Sequence, residues 1–151
     1  MLTACASGLV NHAFSFDARP DSPEVQILNF RYRETKQPSA RADESDVRAG
    51  KVRQSVGISG DMLRGNSLCV KWRVRETNLL YEDTVNLDRV TPQNIAGHEI
   101  YFIVKGDRLF VYLVTPEKRP PEFPVNRPRK YDHLKVITIS SNRGREIADA
   151  N

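Results

Sequence analysis

Cysteine is scarce in this chain, with two in 151 residues. Two cysteines allow at most one disulfide, and Cys5 sits near a terminus, so no disulfide framework organises the fold. Long apolar runs are missing too: none approaches the roughly 18 residues that a membrane-crossing helix needs. Histidine is sparse, and His12, His98 and His133 have no second histidine or cysteine at metal-ligand spacing, which argues against a zinc site and leaves no metal to expect. No serine stands in a Gly-x-Ser-x-Gly elbow. Gly57, Gly60 and Gly65 have neither the spacing of a dinucleotide-binding loop nor a helix after them. Candidate paired carboxylates (Asp43, Glu44, Asp46, Glu82, Asp83) read better as solvated surface. Enzyme chemistry, a cofactor and a small-molecule substrate are therefore not expected.

What is present suits one globular domain able to bury a real core. Lysine and arginine number 23 against 19 aspartates and glutamates, a net +4 spread along the chain. Nucleic-acid binders concentrate such an excess on one face with aromatics interleaved. Only Arg127-Pro128-Arg129-Lys130-Tyr131 approaches that pattern, and prolines interrupt it, so no nucleic-acid partner is expected.

Period-two alternation dominates the middle of the chain. Glu24 to Arg33 reads as a strand buried on much of both faces, with Val25, Ile27 and Asn29 opposite Leu28, Phe30 and Tyr32. Thr35 to Gly50 is an exposed loop with room for one helical turn, and Val52 to Ser59 is a weak strand. Leu68, Val70, Trp72 and Val74 share the inward face of a strand, while Cys69 reads as a small buried hydrophobe. Thr77-Asn78 turns the chain into Leu80 to Leu87, where Glu82 and Asp83 can meet Lys71, Arg73 or Arg75 across the pair. Glu99 to Lys105 and Arg108 to Thr115 flank Gly106-Asp107, and glycine there supplies the positive φ of a tight hairpin turn. Both of these strands are apolar on both faces, which places them centrally. Leu134 to Ser140 closes the set. No amphipathic helix of 12 residues appears. The fold expected is all-β, a sandwich or partly open barrel of six or seven mostly antiparallel short strands with little helix. Its divisions are a tether over 1–23, a single β domain over 24–140 and a polar tail over 141–151.

Two segments offer surface for a protein partner. The glycine-punctuated loop Gly57 to Asn66 presents Met62 and Leu63. Pro116 to Tyr131 holds five of the nine prolines with five basic and two acidic residues, and carries Arg119, Phe123, Arg127, Arg129 and Tyr131. A stiffened loop loses less entropy on binding, and arginine and tyrosine are enriched among interface anchors. The same prolines would equally suit a cover over a sheet edge.

Leu2-Thr3-Ala4-Cys5, followed by Ala6-Ser7-Gly8, resembles the lipobox of bacterial lipoproteins, in which small residues precede a cysteine that takes a diacylglycerol and becomes the mature N-terminus. Only Met1 precedes the box, so the expectation is a lipoprotein whose signal segment has been cut away. The resemblance implies lipidation at Cys5 and membrane attachment through that anchor alone. Ala6 stands where inner-membrane lipoproteins usually carry aspartate, which implies the periplasmic leaflet of the outer membrane. Three further stretches extend the likeness: Asn11-His12-Ala13-Phe14-Ser15-Phe16-Asp17 with Asp21-Ser22-Pro23; Val70-Lys71-Trp72-Arg73-Val74 running to Tyr81-Glu82-Asp83-Thr84-Val85; and Ile100-Tyr101-Phe102 to Leu113-Val114. Together they resemble small proteobacterial lipoproteins encoded beside type VI secretion effectors, which act as periplasmic immunity proteins. The implied role is stoichiometric occlusion of a cognate effector, a phospholipase or a metallopeptidase. The alternative is a structural or assembly lipoprotein of an envelope secretion or pilus complex.

Overall fold

A computed structural model describes residues 8–35, 37–123 and 131–148. Nine strands form among them: β1 (Leu9–Asp17), β2 (Val25–Arg33), β3 (Ser55–Leu63), β4 (Ser67–Val74), β5 (Leu79–Asn86), β6 (Glu99–Lys105), β7 (Arg108–Lys118), β8 (Leu134–Arg143) and β9 (Arg145–Ile147). A five-stranded sheet in the order β3-β1-β6-β7-β8 packs on a four-stranded sheet in the order β2-β4-β5-β9, as an unclosed sandwich. The all-β expectation holds in its sandwich form. Neighbouring strands are antiparallel except β1 and β6, which run parallel.

The core lies between the sheets and is strongly aromatic. Phe14 and Phe16 of β1 meet Phe30 and Tyr32 of β2 and Phe102 of β6, with ring centroids 4.5 Å apart for Phe16–Phe102 and 4.9 Å for Phe16–Phe30. Such offset and edge contacts contribute beyond the area they bury. Trp72 is fully buried, stacks on Tyr81 at 5.9 Å and donates its indole N–H to the Gly106 carbonyl at 2.8 Å. It thereby ties the four-stranded sheet to the β6–β7 hairpin, whose tight turn does place Gly106 at φ 57°.

Several local readings are corrected. The 1–23 tether gives way over Leu9–Asp17 to a strand inside the five-stranded sheet, flanked by β3 and β6. Val10, His12, Phe14 and Phe16 alternate inward there, a pattern masked by the polar and small residues between them. A short helix, α1 (Ala18–Asp21), follows, with the Asp17 carboxylate accepting from the Arg19 N–H. In β2 a bulge at Leu28 moves the phase by one residue, so Val25, Ile27, Phe30 and Tyr32 all face the core. The run that read as apolar on both faces is one inward face with a step in it. The Gly57–Asn66 loop is largely strand: β3 extends to Leu63 and buries Met62 opposite Val10. Cys69 is half-buried on the outward face and not in the core. The helical turn of the 35–50 segment is α2 (Glu44–Ala49), capped by Asp43, whose carboxylate accepts from the Ser45 and Asp46 amides.

The polar tail begins later than expected, because β8 runs to Arg143 and the chain then changes sheets at Gly144 to become β9. Glycine is required at that corner. A Cβ there would lie 2.6 Å from the Trp72 ring, inside van der Waals contact.

Candidate functional site

The outward faces of the two sheets differ in chemistry. On the five-stranded sheet, Tyr101, Ile103, Tyr112, Val114 and Val136 form a second, smaller apolar cluster, joined by Phe110, Tyr131 and Leu134. Tyr131 packs edge-on against Tyr101 at 5.6 Å and donates its hydroxyl to Glu99 at 2.6 Å. Ser15 donates to the same Glu99 oxygen, and Tyr101 donates to Asp21. Burial, then the neighbouring carboxylates, push both tyrosine hydroxyls well above their ordinary pKa, so they remain protonated donors. This network pins the chain at residue 131 onto β1 and β6.

The four-stranded sheet carries a basic outward face, and strand register builds it. Beyond the Leu28 bulge, Asn29, Arg31 and Arg33 of β2 point outward beside Lys71, Cys69 and Ser67 of β4, Arg73 lies further along β4 opposite Gln26, and Glu82 and Thr84 of β5 continue the rows. One row reads Asn29, Lys71, Glu82, Arg145 and the next reads Arg31, Cys69, Thr84. Both rows line a cleft of about 540 Å3, in which the Cys69 thiol and the Thr84 hydroxyl are 3.2 Å apart. Glu82 forms an ion pair with Arg145, and Arg73 bonds the Asn78 amide oxygen at 2.7 Å. Lys71 is Glu82's register neighbour, as the alternation suggested, yet the pair that forms is with Arg145. Among the described residues Arg31, Arg33 and Lys71 enter no salt bridge. Their like charges share one face, and Glu82, the acidic neighbour in these rows, is paired with Arg145, an arrangement that stability does not favour. Asp83, one residue from Glu82, turns to the inner face. One of its carboxylate oxygens is buried without a partner, and burial raises its pKa against the pull of the Thr84 amide.

The β2 edge beside this face is closed. The Gln54 side chain accepts from the Ile27 N–H and donates to the Ile27 carbonyl, both at 2.8 Å, imitating a neighbouring strand. Ala42 donates to the Phe30 carbonyl and Arg41 bridges Arg31. Such cover blocks strand addition and leaves the face as the accessible feature.

The residues singled out in the sequence fall into three groups. Cys5, Arg127 and Arg129 lie outside the described residues. Arg119, Phe123 and Tyr131 are half-buried and engaged internally: Arg119 donates to the carbonyls of Asp132 at 2.7 Å and Phe123 at 2.9 Å, and the Lys135 ammonium sits 5.2 Å from the Phe123 ring. Met62, expected exposed, is buried in β3, while Leu63 is half-buried and lines a smaller cleft with Arg31, Arg33 and Arg41. The structure does not bring Met62 together with Arg119, Phe123 and Tyr131 into one surface. The cationic face was missed, although arginine or lysine at alternate positions of two strands, Arg31 and Arg33 with Lys71 and Arg73, was its signal.

Among the described residues no group of three or more histidine, cysteine or acidic side chains is placed to hold a metal ion. Comparison with protein-family models, with curated proteins and with solved structures finds no match to this chain.

Proposed function

We propose that this chain is a periplasmic immunity protein that binds a cognate type VI secretion effector, a phospholipase or a metallopeptidase, and neutralises it by one-to-one occlusion. A lipid on Cys5 holds it at the outer membrane's inner leaflet, where a toxin attacking the envelope arrives. The observation that supports this reading is the cationic face of the four-stranded sheet, on which Arg31, Arg33 and Lys71 enter no salt bridge among the described residues. A partner meeting a preformed surface loses little free energy to reordering, which favours tight stoichiometric binding. Unlike-charged surfaces also speed encounter, an advantage for a protein that must intercept a toxin before it acts. The resemblance carried by Asn11–Asp17, Val70–Val85 and Ile100–Val114 points the same way.

The test is co-expression of this chain with the products of the genes flanking its own, each directed to the periplasm. The expected result is one toxic product whose effect the chain abolishes while forming a one-to-one complex. If no flanking product is toxic or bound, and deletion instead impairs secretion, the assembly role replaces the immunity role.

A further inference from the structure

We infer that the partner docks through an extended acidic segment laid across β2 and β4, with its carboxylates on Arg31, Arg33 and Lys71. This inference rests on the immunity reading for the partner's identity and on the structure for its chemistry. Arg31 and Arg33 alternate along one strand, so their outward side chains recur at roughly 6.5–7 Å, the repeat of alternate side chains in an extended peptide. Lys71 lies diagonally across the pair from Arg31, roughly 7–8 Å away backbone to backbone. Carboxylates at alternate positions of an extended segment therefore match the cations in spacing and sign. Two guanidinium groups add planar, two-pronged recognition that suits carboxylates.

The floor of the cleft supports a protein occupant over a nucleic acid. Phe30, Tyr32 and Trp72 of these strands are all buried in the core, so β2 and β4 offer no outward ring on which a base could stack. Glu82 stands within the same rows and would repel a continuous phosphate track, whereas a segment with spaced charges can pass it. The closed β2 edge removes strand addition as the binding mode and leaves side-chain recognition on the face.

The experiment uses the full chain and a fluorescein-labelled ten-residue peptide with glutamate at alternate positions. Binding is followed by anisotropy and by backbone amide shifts. The expected result is saturable one-to-one binding, with shifts concentrated at residues 29–33, 69–73 and 82–84. Arg31→Glu with Lys71→Glu should weaken it roughly tenfold or more, while Lys105→Glu on the other sheet leaves it unchanged. Arg31→Gln with Lys71→Gln serves if the reversed pair fails to fold, and should weaken binding in the same direction. Shifts centred elsewhere, binding insensitive to both pairs, or tighter binding of a duplex DNA of equal charge would each overturn the inference. Neutralisation separates it from the immunity reading. If the charge-reversed chain still protects against an effector that wild type neutralises, the face is wrong and immunity stands. If the peptide binds this face but wild type protects against no flanking product, the face stands and immunity falls.

Discussion

Gly144→Ala perturbs directly the framework that presents the basic face. Gly144 is the corner at which β8 of one sheet becomes β9 of the other, so the chain there must pass directly over the fully buried indole of Trp72. An added Cβ would lie 2.6 Å from one ring carbon and 2.8 Å from another. The ring has nowhere to retreat, since it stacks on Tyr81 and is held by the Gly106 carbonyl. Overpacking of this kind costs about 1–3 kcal/mol, and for a domain of this size each kcal/mol lowers the melting temperature by about 2–4 °C. Trp72→Ala alone should cost about 3–5 kcal/mol. In that background the methyl enters the vacated space, so the double variant should be no less stable than Trp72→Ala, a coupling of about 1–3 kcal/mol. Urea unfolding followed by far-ultraviolet circular dichroism measures all four corners of the cycle, because the sole tryptophan is itself altered. Strictly additive losses, or a Gly144→Ala variant within about 0.5 kcal/mol of wild type, would refute the packing account.

His12 is buried with its Nδ1–H on the Val10 carbonyl at 2.8 Å and its Nε2 accepting from the Tyr32 hydroxyl at 3.0 Å, while the Gly65 amide donates to that hydroxyl. Burial lowers its pKa below the ordinary 6.5, so the unfolded chain binds the proton more readily; stability is full above that value and falls as pH drops below it. Unfolding curves should show this slope, and His12→Gln should flatten it. Asp83 behaves oppositely: its raised pKa means stability declines as pH rises above the ordinary 3.8. Asp83→Val, which removes the orphaned oxygen opposite Val70, should stabilise the chain at neutral pH by about 1 kcal/mol in urea titrations. Tyr131→Phe breaks the bond to Glu99 and should cost about 1–3 kcal/mol in thermal melts, since the acceptor is a carboxylate.

The β4–β5 and β6–β7 pairs were readable, down to the Gly106 turn and the inward face of Trp72, because large apolar groups recur at period two in β4 and fill both faces of β6 and β7. The β1 strand was hidden because its inward set includes His12, a polar residue that is buried only because Tyr32 and Val10 satisfy both ring nitrogens. The step at Leu28 was hidden because a bulge leaves composition unchanged while moving every later side chain to the other face. The basic face was hidden for a different reason: Arg31, Lys71 and Arg145 are remote in the chain, and only the β2-β4-β5-β9 order makes them neighbours. The Pro116–Tyr131 segment announced itself by composition, and that composition did not distinguish an anchor for a partner from the internal contacts that Arg119, Phe123 and Tyr131 make.

The structure of the one-to-one complex between this chain and the effector proposed as its partner tests the central claim most directly. The account predicts an interface of about 1,200–2,000 Å2 centred on Arg31 and Lys71, with acidic side chains of the effector against them. An effector seated on the outer face of the five-stranded sheet, away from every one of those cations, would contradict it.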